Sequence, residues 1–310
     1  MRFGFYTDIH LSGLNPRHRI DNYRQAILTK VAEVYAVAEA EGCEFMAFGG
    51  DFFNTHRVFS YEVIGDAMDV ICESSLPTYG CIGEHDLYGH SPNTFPSSTL
   101  AFFVRRCPQF TLLFNPIEVE TGIWLHGKHE WEAVEAINGV DREVDQKDYN
   151  VLVCHELITN ERAPFSVTDT ATLTDSPFDL VCSGDLHNGY EPHEVNGTWF
   201  VNPGALARRN SDHNWHPKMA VIDIEKGIPP VINLIELKTA RPYDEVFGEG
   251  VAEVSLKAQE FDGHEFADEL AAFEAQAVDV YELVQTVGRA KGVRKPVLDY
   301  LATKKPAEVS

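Results

Sequence analysis

The chain has 310 residues, is 44% hydrophobic and carries a formal net charge of −23. That length suits one large domain with a smaller companion, and no apolar run reaches the roughly 18 residues a membrane span needs. The acidic balance argues against a protein that holds nucleic acid through its overall field.

The opening Met1-Arg2-Phe3-Gly4-Phe5-Tyr6 runs straight into a strand over 2–6, with no room for a signal peptide. Apolar residues then recur at helical spacing from about Arg19 to Glu41 (Ile27, Val31, Val34, Ala38), and Gly42 stops the helix. Cys43 to Phe48 reads as a buried strand, 60–74 as a helix, and Pro77 to Ile82 as a third strand. This β-α-β-α-β series ends each strand in polar residues, the edge where open α/β sheets build sites. Asn150–Cys154 and Asp179–Ser183 are two further strands. Thr198–Val201, Met219–Ile224 and Val231–Leu237 follow closely and read as the antiparallel part of a second sheet. The expected whole is an α/β fold: two sheets face to face with helices outside, a four-layer α/β/β/α sandwich. Residues 88–98 and 159–177 read as loops near the site.

Near Arg241-Pro242 the pattern changes. An amphipathic helix over about 264–286 and a basic one over about 293–303 are expected there. Residues 260–282 hold eight acids and no Lys or Arg, whereas 288–306 hold six Lys/Arg and one acid. The basic stretch could touch DNA backbone, dock on an acidic partner, or be a solvated face. The expected domains are therefore 1–237 and 238–310. The cysteines (43, 72, 81, 107, 154 and 182) form no CxxC pair and read as buried free thiols in a reducing cytoplasm.

Six short motifs stand out: Asp8-Ile9-His10, Gly50-Asp51, Gly83-Glu84-His85-Asp86, Cys154-His155-Glu156, Gly184-Asp185-Leu186-His187 and Asn202-Pro203-Gly204. Each is weak alone. Their order and their placement after apolar runs make the set specific, and they supply the N and O donors that a pair of divalent cations takes. Such a pair clamps a phosphodiester, activating water on one side and stabilising the leaving oxygen on the other.

Over residues 1 to 237 the chain resembles the calcineurin-like metallophosphoesterases, whose pattern is DxH, GD, GNH[D/E], H and GHxH. The resemblance implies that Asp8, His10 and His187 hold one metal, that Asp51 bridges, and that His155 holds the second. His85 would be the general acid, oriented by a carboxylate such as Asp8 or Asp86. Glu84 stands where the family has Asn, and Asp185 where it has His. Both departures fall on the second metal, and both substitutes are hard anionic donors. The second set would then be Asp51, Glu84, His155 and Asp185, tuned to Mn²⁺ or Mg²⁺ rather than Zn²⁺. The alternative is that Glu84 displaces the second ion.

The nearer resemblance is to the nuclease subunit of the SbcCD type, in a form similar to short phage versions. Asn202 to Arg208 (NPGALAR) resembles the stretch that follows GHxH in those nucleases. Leu237 to Pro242 (LKTARP) resembles their link to a DNA-capping region. This implies a Mn²⁺-dependent DNA exo/endonuclease working in the cytoplasm with an SMC-like ATPase partner of the SbcC type, and a homodimer. His56, Arg208 and Arg209 are candidate substrate contacts. His126 and His129 read as surface histidines, His213 and His216 as a solvated loop, and Trp124, Trp131 and Trp199 as packing. Two rivals stay open: a small-molecule phosphodiesterase or phosphatase of the same fold, and a metal-binding scaffold without turnover.

Overall fold

The computed structural model describes residues 1–139, 143–159, 168–211 and 213–248. The C-terminal helices and the basic 288–306 segment expected from the sequence lie outside the described residues. One compact unit runs from Met1 to Ala252.

Its strands are β1 (Arg2–Tyr6), β2 (Phe45–Phe48), β3 (Thr78–Gly80), β4 (Phe110–Leu112), β5 (Ile117–Glu120), β6 (Ile123–Lys128) and β7 (Tyr149–Cys154). Then come β8 (Ile158–Thr159), β9 (Thr168–Asp169), β10 (Leu180–Ser183), β11 (Tyr190–Val195), β12 (Thr198–Asn202), β13 (Lys218–Glu225) and β14 (Ile228–Glu236). The helices are α1 (Tyr23–Ala40), α2 (Tyr61–Ile71), α3 (Thr99–Arg106) and α4 (Tyr243–Phe247).

Two six-stranded sheets form, in the orders β14-β13-β1-β2-β3-β4 and β11-β12-β10-β7-β6-β5. The period-2 alternation of strands sorts the side chains. Phe3, Phe5, Phe45 and Ala47 face Val151, Val153, Leu180 and Cys182 in the core between the sheets. Tyr6, Met46 and Phe48 point the other way, onto Ile27, Val31, Val34 and Val63 of α1 and α2. On the far side of the second sheet, Leu152, Cys154 and Phe200 are covered by Ile137, Ile158 and Phe178. The sandwich is thus present, and among the described residues its outer cover over the second sheet is turns and loops rather than α-helix.

Two details correct the sequence reading. β13 and β14 do not join the second sheet. β13 pairs antiparallel with β1 (Phe3↔Ile222, Phe5↔Ala220), filling the otherwise free edge of the first sheet. Only β12 joins the second sheet, parallel to β10. Helix α1 starts at Tyr23 rather than Arg19, because the Asn22 side chain accepts from the Gln25 N–H at 3.1 Å and caps it. The residues just before serve elsewhere: Arg19 forks onto Asp21, and the Ile20 N–H donates to Val246 in α4.

Candidate metal centre

The site lies where the strands of both sheets end. The loops after β1 and β2 run side by side, with Asp8 N–H donating to Gly50 O, His10 N–H to Asp51 O and Leu11 N–H to Phe52 O. The Asn202–Pro203–Gly204 loop closes over them, since Leu206 and Ala207 N–H groups donate to Thr7 and Asp8 carbonyls. Asp8, His10, Asp51 and Asp185 all adopt positive φ, 53°, 41°, 57° and 74°. Non-glycine residues hold that conformation only where the surroundings over-determine it, a pattern that concentrates at functional sites.

These turns bring the side chains together. Asp8 Oδ1 lies 3.5 Å from His187 Nε2 and 3.8 Å from His10 Nε2, and the two imidazole Nε2 atoms are 3.1 Å apart. Asp51 Oδ2 lies 3.6 Å from His10 Nε2, while its Oδ1 lies 3.7 Å from His155 Nε2. Three clusters of potential ligand atoms result: Asp8–His10–His187, Asp8–Asp51–His155 and His10–Asp51–His85. Asp51 faces His10 with one oxygen and His155 with the other, and Asp8 likewise belongs to two of the three groups.

The donor atoms fit cations. His155 Nδ1 is 2.8 Å from the Gly49 carbonyl, which makes Nδ1 the donor and presents Nε2 to the site. Buried atoms Asp8 Oδ1 and His155 Nε2 have no hydrogen-bond partner. Leaving such buried polar atoms unpaired is costly, and a divalent ion that displaces the His155 proton would satisfy both. Thr7 Oγ1 donates to the other Asp8 oxygen at 2.5 Å, so only Oδ1 is left for the cluster.

Charge is strongly perturbed in this pocket. Burial pushes the Asp51 carboxyl well above its usual range, and the neighbouring Asp8 and Asp86 add to that. Burial opposes charge on His155, but Asp51, Asp8 and Asp185 overcome it and hold the imidazolium up to about 10. Burial and the Arg209 guanidinium push both His10 and His85 down. Burial also raises Asp185, with the charges of Asp8 and Glu84 acting in the same direction.

Residues 1–227 match the family model described as the calcineurin-like phosphoesterase superfamily domain. The chain belongs to this superfamily. A dimetal phosphatase from Danio rerio is similar in fold, with a TM-score of 0.54 at 11% identity over 76% of this chain and 96% of that one. The protein TT1561 of Thermus thermophilus is similar at a TM-score of 0.50 and 12% identity, over 76% of this chain and 99% of that one. No curated protein sequence matches the chain. At such identities the structures share the fold alone.

Within this calcineurin-like frame the remaining expected site residues separate. His85 Nδ1 donates to the Asn54 carbonyl at 2.8 Å, and its Nε2 lies 3.5 Å from Glu84 Oε1. The carboxylate expected to orient it does not. Asp86 is fully buried and accepts from the N–H groups of Phe52, Phe53 and Gly83 instead, which locks the Asp51 loop to the His85 loop. Burial raises Asp86 to about 6, against the pull of those three donors. Glu84 and Asp185 border the cluster without offering an atom to the three groups. The Asp185 N–H donates to Asp8 Oδ2 at 3.1 Å. His56 is half-buried, with its ring 5.0 Å from that of Tyr88.

Arg208 is a correction. It is buried and donates to the Arg241 carbonyl rather than standing free for a substrate contact. Arg209 is the one beside the site, with Nη1 on Asn54 Oδ1. His126 and His129 are buried rather than on the surface. His126 Nε2 is 3.0 Å from Asn150 Oδ1, and His129 Nδ1 accepts from the Ile82 N–H. His213 and His216 are not solvated either: His213 Nδ1 accepts from Arg209 N–H, and His216 Nε2 donates to the Leu237 carbonyl. Cys72 and Cys107 form a disulfide, while Cys43, Cys81, Cys154 and Cys182 are free and buried. No helix among the described residues is long and apolar enough to cross a membrane.

Asn54, His129 and Thr7 escaped the sequence reading. Asn54, three residues past Asp51, carried the only visible signal, since a short polar residue after a ligand loop commonly braces it.

Proposed function

We propose that the chain is a two-metal phosphodiester hydrolase acting on DNA, an SbcD-like exo/endonuclease that takes Mn²⁺ or Mg²⁺. The observation that carries the hydrolase reading is the Asp51 carboxylate, whose two oxygens face His10 on one side and His155 on the other. Asp8, His10 and His187 would hold one ion, and Asp51 and His155 the other, with Asp51 shared. Such ions supply an activated water and charge neutralisation at the phosphate. In this reading Glu84 and Asp185, which border the cluster, would turn in to complete the second set, and their hard oxygens would favour Mn²⁺ or Mg²⁺ over Zn²⁺.

His85 serves the leaving group. Its Nδ1–H is held by Asn54, so Nε2 is the nitrogen left for proton exchange. Glu84, 3.5 Å from that nitrogen, opposes the lowering that burial and Arg209 impose on the imidazole. Arg209 provides the positive charge beside His10 and His85 for a phosphate oxygen.

Support for DNA comes from the sequence, in the 202–208 and 237–242 stretches. A net charge of −23 predicts weak, salt-sensitive binding by the chain alone. An SMC-like ATPase supplying the basic channel resolves this, and a homodimer in the cytoplasm belongs to the same reading. The rival is a small-substrate phosphatase of the same fold; the similar Danio rerio protein is named a dimetal phosphatase.

The test is cleavage of an end-labelled DNA duplex with Mn²⁺, beside His85→Ala and a bis-p-nitrophenyl phosphate assay. DNA degradation that the variant loses supports the nuclease. Hydrolysis of the small ester with DNA left intact, even with added ATPase partner, favours the rival.

A further inference from the structure

We infer that Trp215 is a stacking platform for the nucleobase next to the scissile phosphate. Of the four tryptophans, Trp131 and Trp199 pack against the hydrophobic cores, and Trp124 is tied by its Nε1–H to Asp148. Trp215 joins none of the three core clusters. It is half-buried, with its ring centroid 6.0 Å from that of His187, itself 22% exposed at the edge of the metal cluster.

Its orientation is fixed by the site's own scaffold. The indole Nε1–H donates to Ala205 O at 2.9 Å, and the next two residues are hydrogen-bonded to Thr7 and Asp8. His213 packs on it at 4.4 Å between centroids and lies 5.6 Å from His187, so the three rings form a compact triangle at the edge of the metal ligands. The same His213 accepts from the Arg209 N–H. One loop therefore presents a cation for phosphate and a rigid aromatic plane beside it. Every base offers a π-face, and base–aromatic stacking is sequence-tolerant. An inorganic phosphate or an aliphatic ester gains nothing from this plane, whereas a nucleotide diester does.

The inference rests on the nucleotide-diester reading. Its test compares two oligonucleotides identical but for an abasic sugar beside the cleaved phosphate, using native protein, Trp215→Ala and Trp215→Phe with Mn²⁺. The readout is the base-to-abasic ratio of kcat/KM. Loss of one stacked base predicts that Trp215→Ala lowers this ratio by about 5-fold to about 150-fold, with Trp215→Phe retaining most of it. A ratio unchanged in Trp215→Ala, even with lower overall activity, overturns the platform and leaves the indole a structural role. If native protein cleaves neither oligonucleotide even with the ATPase partner added, the nuclease reading fails on its own. The platform is then decided by the ratio of binding affinities for the same pair, read by tryptophan fluorescence.

Discussion

Gly83→Ala tests how tightly the shared carboxylate is held. Gly83 sits at φ −94°, which any residue adopts, so the backbone itself tolerates alanine. Space does not: a Cβ there would lie 2.1 Å from Asp51 Oδ1 and 2.4 Å from the Asp51 backbone nitrogen. Restoring ordinary contact, about 3.5 Å, requires the carboxylate to retreat by roughly 1.4 Å or the two loops to part. Either movement also stretches the bond from His85 N–H to Asp51 Oδ1, now 2.9 Å. Overpacking of this kind costs about 1–3 kcal/mol of stability. A misplacement of about 1 Å at a reacting centre costs on the order of 10²-fold in rate. The assay is hydrolysis of bis-p-nitrophenyl phosphate at saturating Mn²⁺, with a thermal melt of the same samples. A variant that stays folded and keeps kcat within about threefold of native would refute the reasoning, because Asp51 would then tolerate displacement.

His85→Gln should lower kcat by about 10²- to 10⁴-fold while leaving the metal titration as in native protein; a parallel loss of metal affinity would make His85 a ligand instead. Arg208 and Arg209 should separate. Arg208→Met should lower stability by about 1–3 kcal/mol in a denaturant titration with little loss of kcat/KM, whereas Arg209→Met should lower kcat/KM on the order of 10²-fold; equal effects of both on kcat/KM would contradict the placement. Metal binding should tighten as pH rises. Without metal, the charges of Asp51, Asp8 and Asp185 outweigh burial and hold the His155 imidazolium up to about 10, so at neutral pH it carries a proton that a cation must displace. Calorimetry in buffers of different ionisation enthalpy should show proton release on binding, and a buffer-independent heat would count against it.

The residues of the candidate cluster were legible in sequence because their signal is local: Asp8, Asp51 and His155 each follow an apolar run by a few residues. What braces them is not local. His129 reaches Ile82 across 47 positions, and nothing near His129 marks it as a loop anchor. Arg208 and Arg209 are chemically alike in sequence, and only the assembled fold gives one Arg241 and the other Asn54 as its partner. Asp86 looks like a partner for the adjacent His85, yet three backbone N–H groups compete for its oxygens and win. The strand pattern at β13 was clear, but its sheet was not. Which edge it joins depends on β1 having a free side, a property of the assembled fold. Cys72 and Cys107, 35 residues apart, pair across the end of α2 and the end of α3 in the same way.

The central claim is that two cations share Asp51. Crystals grown with Mn²⁺ and measured at the manganese absorption edge test it directly. The account predicts two anomalous peaks, one among Asp8, His10 and His187 and one beside His155, with Asp51 touching both. A single peak at Asp8, His10 and His187, with Glu84 or Asp185 turned away from His155, would contradict it and make this a one-metal site.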